Sequence, residues 1–220
     1  MAVVAATGVV IASVSSCASA GTAVAQPRFD HVPASCAVAL TPVAAEIDQF
    51  AGSLRADDDR ISTEADPGLD GGSIGVRCVG IFSGDPDTPT SLQDTATRPT
   101  SRHLFLRFVV IPGSDTVSDP VAHTRQLFEQ RRPPGASDVP GVGEAAYAVT
   151  THLRYPGGIA GTVTGSVEIS FRTSNLIVAA DVGGINVHDS SEPAQLLADL
   201  ERDADAIVRA LAADIDTAMA

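Results

Sequence analysis

The chain has 220 residues and a formal net charge of −13, from 27 acidic and 14 basic side chains, all of the latter Arg. Such a surface repels phosphate backbones and anionic head groups alike, which excludes nucleic acid as a partner and leaves acyl chains as the means of membrane attachment. Hydrophobic residues make up 44%, so the body is globular rather than disordered, and the length suits one domain with a full core.

The chain opens on an uncharged apolar run, Met1 to Ser16 (MAVVAATGVVIASVSS), followed by Cys17. A membrane span needs about 20 apolar residues, so this short run reads as an export signal. Val14-Ser15-Ser16-Cys17 has the pattern of a bacterial lipobox: an aliphatic residue, two small residues and the cysteine that is acylated and becomes the new N-terminus. On this reading residues 1–16 are the signal and 17–33 a small, polar, Pro-containing tether. Residues 34–220 are a single domain held on the extracytoplasmic face of the cell membrane. Two alternatives stand beside it. Ala23-Val24-Ala25 before Gln26 fits cleavage for ordinary secretion, and an apolar N-terminal segment can also be the buried start of a cytosolic protein.

With Cys17 lipidated, Cys36 and Cys78 remain. In an oxidising compartment such a pair forms a disulfide, and the chain-entropy model gives its loop roughly 4 kcal/mol. A metal site is the rival reading, but neither cysteine has a CxxC or CxxH neighbour.

Thr41 as cap and Pro42 at the first helical position predict a helix over 42–55, with Leu40, Val43, Ile47, Phe50 and Leu54 on one apolar stripe. Residues 56–73 read as a polar, Gly-rich loop. Residues 74–82 read as a strand with Ile74, Val76, Cys78 and Phe82 on one face. Another loop covers 83–101, long enough to be functional, and a second strand covers 102–111. A helix over 120–131 follows, capped by Asp119 or Ser118, opened by Pro120, and burying Val121, Thr124, Leu127 and Phe128. Strands are expected at about 145–153, 161–172 and 176–183, the last two joined by a tight turn at Thr173-Ser174-Asn175. A long amphipathic helix at about 192–217 buries Leu197, Leu200, Ala204, Ile207, Leu211 and Ile215. The order α-β-β-α-β-β-β-α predicts an α+β domain: a mostly antiparallel five-stranded sheet flanked by helices.

Catalytic motifs are sparse. Gly71-Gly72-Ser73-Ile74-Gly75 matches the G-x-S-x-G nucleophile elbow. That elbow needs a strand before the serine and a helix after it, whereas here a loop precedes Ser73 and a strand follows. His31, His103, His123, His152 and His188 show no zinc spacing, and Asp57-Asp58-Asp59 lacks the alternation of a calcium loop. Gly141-Val142-Gly143-Glu144 lacks the helix of a phosphate cradle and reads as a turn leading to Tyr147. An aromatic content of 4% without Trp argues against a carbohydrate platform of stacked rings.

Several segments together resemble a known group. They are the lipobox, the Cys36 segment before the first helix, Val76-Arg77-Cys78-Val79, the run Asp138 to Tyr147 (DVPGVGEAAY), the run Val167 to Val178 (VEISFRTSNLIV) and the helix Ala194 to Ala212. The arrangement resembles actinobacterial envelope lipoproteins of unknown function, a group similar to the extracellular sensor domain of PknH-type receptor kinases. The resemblance implies an antiparallel sheet flanked by helices, with a cleft for an unidentified ligand, and supplies no catalytic residues. The kinase sensor has two disulfides, where only Cys36–Cys78 is available here. The expected function is a non-enzymatic, lipid-anchored binding or sensor-like module without cofactor or metal. Its partners would be the membrane through the anchor and a small-molecule, lipid or protein ligand. The alternatives are a scaffold subunit of an envelope complex and an exported serine hydrolase using Ser73.

Overall fold

The computed structural model describes residues 25–52, 54–56, 61–83, 101–153, 163–186 and 193–220. Cys17, the Asp57–Asp59 run, His188 and most of the 83–101 loop lie outside them. Eight strands form one antiparallel sheet: β1 (Arg55–Ala56), β2 (Ser62–Asp66), β3 (Ile74–Ser83), β4 (Ser101–Val110), β5 (Ser137–Asp138), β6 (Ala145–Leu153), β7 (Val163–Thr173) and β8 (Leu176–Asn186). The order is β1-β3-β4-β8-β7-β6-β5, with β2 also pairing β3. The last long strand therefore inserts between β4 and β7, and the non-local pairing of β4 with β8 closes the domain.

The α+β architecture and the five long strands agree with the expectation, while the count and element order do not. Three short strands add to the predicted five. β2 falls in the segment expected to be loop. Its sequence, STEAD, shows no apolar alternation, because an edge strand with both faces largely exposed buries too little side chain to imprint one.

Both faces of the sheet are partly covered. On one face lie α1 (Cys36–Ala39), α2 (Ala44–Ala51), α4 (Pro193–Ala213) and α5 (Ile215–Ala218), packed on Val76, Cys78, Phe82, Leu104, Leu106, Phe108, Val167, Ile169, Phe171 and Val178. The single last helix expected over about 192–217 is split at Asp214, whose φ −128° and ψ 44° leave the helical region, so Ile215 opens α5; the foreseen stripe is buried as expected, from Leu197 to Ile215. Each such Leu or Ile is worth about 1.5–3 kcal/mol of burial. On the other face α3 (Pro120–Arg131) sits over one end only, through Phe128 against Tyr147, Val109 and Ile177. Its bounds match the expectation, and Asp119 caps it by accepting from the Ala122 N–H at 2.9 Å.

The predicted helix over 42–55 is shorter, α2 covering Ala44–Ala51: Gly52 at φ +57° stops it, Leu54 lies beyond it and Arg55 opens β1, while a separate short helix precedes it. α1 ends at Ala39, a 3-10 turn spans Thr41–Val43, and α2 follows. Pro42 supplies no N–H to continue the first helix, and Thr41, instead of capping, donates its hydroxyl back to the Ala37 carbonyl. Ser35 is the cap of α1, accepting from Val38. Ile74 is 39% exposed rather than in the core, because it stands at the very end of β3.

Residues 28–33, expected to belong to a tether, are packed on the domain instead. Phe29 and Pro33 are buried. Arg28 and Phe29 are held by Asn175, a fully buried side chain in the β7–β8 turn. Its Oδ1 accepts from both backbone N–H groups at 3.0 Å, and its Nδ2 donates to the Phe29 carbonyl at 2.6 Å and to the Ile111 carbonyl at 3.0 Å. Ser174 beside it takes φ +51°, the left-handed conformation that a two-residue hairpin turn demands.

Cys36 and Cys78 form a disulfide with Cα atoms 5.5 Å apart, joining the start of α1 to the middle of β3. No helix among the described residues is long and apolar enough to cross a membrane.

Candidate functional site

Period two decides which strand residues face away from the main core, and the register lines them up across the sheet. One row runs Ile81, His103, Gly183, Ser166, Thr151 from β3 through β4, β8 and β7 to β6. The next is Val79, Phe105, Asp181, Glu168, Val149, and the third is Arg77, Arg107, Ala179, Ser170, Tyr147. The fourth row, from Val109 and Ile177, lies toward the α3 end. The first three rows bring polar and charged groups onto strands that are otherwise apolar.

A cleft of about 240 Å³ opens where the third row meets α3. Leu69, Val109, Phe128 and Ile177 form apolar walls, and Arg107, Arg131, Tyr147, Glu168 and Ser170 bring polar groups into it. Phe128 packs against the Tyr147 ring with centroids 4.9 Å apart. Ser170 donates its hydroxyl to Glu168 Oε1 at 3.1 Å. Burial pushes the Tyr147 phenol above its ordinary range, with Glu168 adding to the shift and Ser170, Arg131 and Arg132 opposing it.

Arg107 is held from the far side of the cleft. Its Nη2 donates to Asp66 Oδ1 at 2.6 Å and to the Gly68 carbonyl at 2.7 Å, while its Nε is buried without a partner. Gly68 has φ +79°, and a Cβ there would lie 2.3 Å from Ser73 Oγ, so only glycine fits. Burial works to raise the Asp66 carboxyl, but bonds from Arg107 and the Gly68 N–H outweigh it and hold the group below the usual carboxylate range.

Asp181 in the second row and His103 in the first carry an opposed pair of shifts. Burial raises the Asp181 carboxyl, against the pull of His103 and Ser166. Burial also lowers His103, against the pull of Asp181. Each group is thus pressed toward its uncharged form. The His103 ring stacks on Phe105 at 5.0 Å and lies over Gly183, where a Cβ would come within 2.2 Å of it.

Ser73 is not poised as a nucleophile. Its Oγ accepts from the N–H groups of Leu69 and Asp70 at 2.7 and 3.1 Å and donates to the Asp70 carbonyl. His123 bonds the Asp70 carboxylate at 2.8 Å, not the serine. A hydrolytic triad needs the histidine between serine and carboxylate; here the carboxylate stands between them. The other histidines do not assemble with them. His31 is exposed beside Asp30 and the Met219 carbonyl, and the His152 side chain lies outside the described residues. Among the described residues no group of His, Cys, Asp and Glu could hold a metal ion. Gly141 and Gly143 shape a turn, as expected, with φ +76° and +54° around the buried Val142. Glu144 then pairs with Arg172.

A second hollow of about 380 Å³ lies beside β6 on the α4 side. Its acidic groups already have partners: Glu201 accepts from Thr150 and Asp205 from Arg209.

No family model, curated protein or solved structure matches the chain. The site therefore stands on its own geometry. Sequence reasoning passed over Arg107, Glu168, Ser170 and Asp181. A signal was present: each interrupts an apolar strand at a position whose immediate chain neighbours, such as Leu106, Ile169 and Ala180, point to the core on the opposite face.

Proposed function

We propose that the protein is an exported, lipid-anchored binding module of the cell envelope, without catalysis of its own, that seats a small ligand in the cleft between α3 and the sheet. The observation that carries this reading is the cleft itself: apolar walls with a few convergent polar groups, the usual make-up of a small-molecule site. Ser73, the one serine in a nucleophile motif, has its hydroxyl committed to a turn. Lipidation at Cys17, palmitate included, and the kinship with actinobacterial sensor-like lipoproteins belong to the same proposal.

The docking of Arg28 and Phe29 at the β7–β8 turn gives the anchor a direction. From Cys17 to Arg28 the chain reaches at most about 40 Å when fully extended, so the turn end of the sheet would lie toward the membrane. The His103 end would lie away from it.

Intact-mass measurement of protein extracted from membranes tests the anchor; an unmodified Cys17 on a cytosolic chain would overturn it. The seat is tested through Tyr147. The chain has no Trp and two Tyr, so Tyr155→Phe leaves Tyr147 as the sole fluorophore of the cleft. Envelope glycans, lipids and small polar metabolites should include one class that changes its emission and raises Tm, and a uniformly silent panel would count against the reading. A protein-partner surface is a second reading, favoured by Ile81 and Ile185, which are 53% and 36% exposed on the same sheet face. Co-purification from membranes that is lost in Ile81→Asp tests it.

A further inference from the structure

Charge in and around the cleft does not close. Arg77 is paired with Glu64, Arg107 with Asp66, Arg132 with Asp138 and Arg172 with Glu144. Of the three charged groups that line the cleft, Arg107, Arg131 and Glu168, the last two are left over, of opposite sign. Arg131 bonds only the Leu69 carbonyl, at 2.7 Å, and has no carboxylate partner among the described residues. Glu168 accepts only the Ser170 hydroxyl and has no cationic partner among them. They do not pair with each other. Tyr147 lies within electrostatic range of both. A neutral ligand would leave both charges unanswered, and a singly charged one would answer only one. The volume is below that of a drug-sized pocket, and the walls are aliphatic and aromatic.

Resting on the reading above, we propose that the cleft takes a small zwitterion of the amino-acid type with an apolar side chain, its ammonium at Glu168 and its carboxylate at Arg131. The apolar side chain lies against Leu69, Val109 and Phe128. Selectivity follows from desolvation at the half-buried Glu168, which a ligand lacking the ammonium leaves stripped of water and unpaired, and from a charge-assisted bond to the exposed Arg131, which a ligand lacking the carboxylate forgoes.

The test uses the Tyr155→Phe protein, Tyr147 emission and Tm, and three probes of one shape: leucine, 3-methylbutylamine and 4-methylpentanoate. Leucine should bind saturably, and each single-charge analogue should bind at least about tenfold more weakly, the loss expected for one charge-assisted bond. Glu168→Gln should erase the preference for leucine over 4-methylpentanoate, and Arg131→Gln the preference over 3-methylbutylamine. The wild-type comparison needs no variant, so a misfolded substitution leaves the proposal open to refutation. Equal binding of leucine and either analogue overturns it. So does silence with leucine at millimolar concentration. If leucine is silent while a glycan or lipid perturbs Tyr147, the zwitterion falls and the binding seat stands; if nothing perturbs Tyr147, both fall.

Discussion

Replacing Asn175 with Ala removes the clamp that holds the start of the folded body. In place, the change leaves the Phe29 N–H, the Phe29 carbonyl and the Ile111 carbonyl without partners in a buried setting. At about 1–3 kcal/mol each, three orphaned groups cost roughly 3–9 kcal/mol. The chain has a cheaper way out. It can release residues 28–31 and lose the burial of Phe29, worth about 1.5–3 kcal/mol, with little from the exposed Arg28–Asp216 pair. The lower cost wins, so Asn175→Ala should destabilise by about 3 kcal/mol through detachment of this segment. Urea unfolding followed by circular dichroism gives the number. Detachment also predicts non-additivity: Phe29→Ala should cost almost nothing further in the Asn175→Ala background. An Asn175→Ala cost below about 1 kcal/mol, or full additivity with Phe29→Ala, would refute the reasoning. Asn175→Asp sharpens it. A carboxylate there faces two carbonyl oxygens, so this variant should gain stability on mild acidification as its raised carboxyl protonates.

Further outcomes follow from the same geometry. Reduction of Cys36–Cys78, or its replacement by two serines, should cost about 4 kcal/mol by loop entropy; denaturation with and without reductant measures it, and no difference would mean the bridge is absent in solution. Ser73→Ala should lower stability by about 1–2 kcal/mol, since its hydroxyl organises the Leu69–Ser73 turn, and a serine-directed fluorophosphonate should label neither protein; labelling lost in the variant would revive the hydrolase. For Asp181 the folded carboxyl is raised by burial, so the stability it contributes is complete below the ordinary carboxylate pKa and lost as pH rises through the folded one. Asp181→Asn should therefore gain on wild type as pH increases, and a pH-independent difference between the two would contradict this. Asp66 has the opposite sign: its lowered carboxyl contributes stability above the ordinary value that disappears as pH falls, so Asp66→Asn should blunt acid unfolding.

The sequence by itself determined the five long strands, α3 with its Asp119 cap, the apolar stripe of α4 and the pairing of Cys36 with Cys78. In each of these, local patterning and tertiary burial agree: Leu104, Leu106 and Phe108 alternate because one face of β4 meets the core, and Leu197 to Leu211 recur at helical spacing for the same reason. Where burial is weak or the partner is distant, the chain carries no local mark. β2 is polar because it is an edge strand. The break at Thr41–Val43 depends on how α1 and α2 settle separately on the sheet, and Arg28–Pro33 look like a tether until Asn175, 146 residues or more along the chain, supplies their hydrogen bonds. The cleft belongs to this second group. Arg107, Tyr147 and Glu168 lie on three different strands, and Arg131 lies on a helix. Only the antiparallel register, with β8 inserted between β4 and β7, brings their charges into one hollow and leaves two of them unpaired.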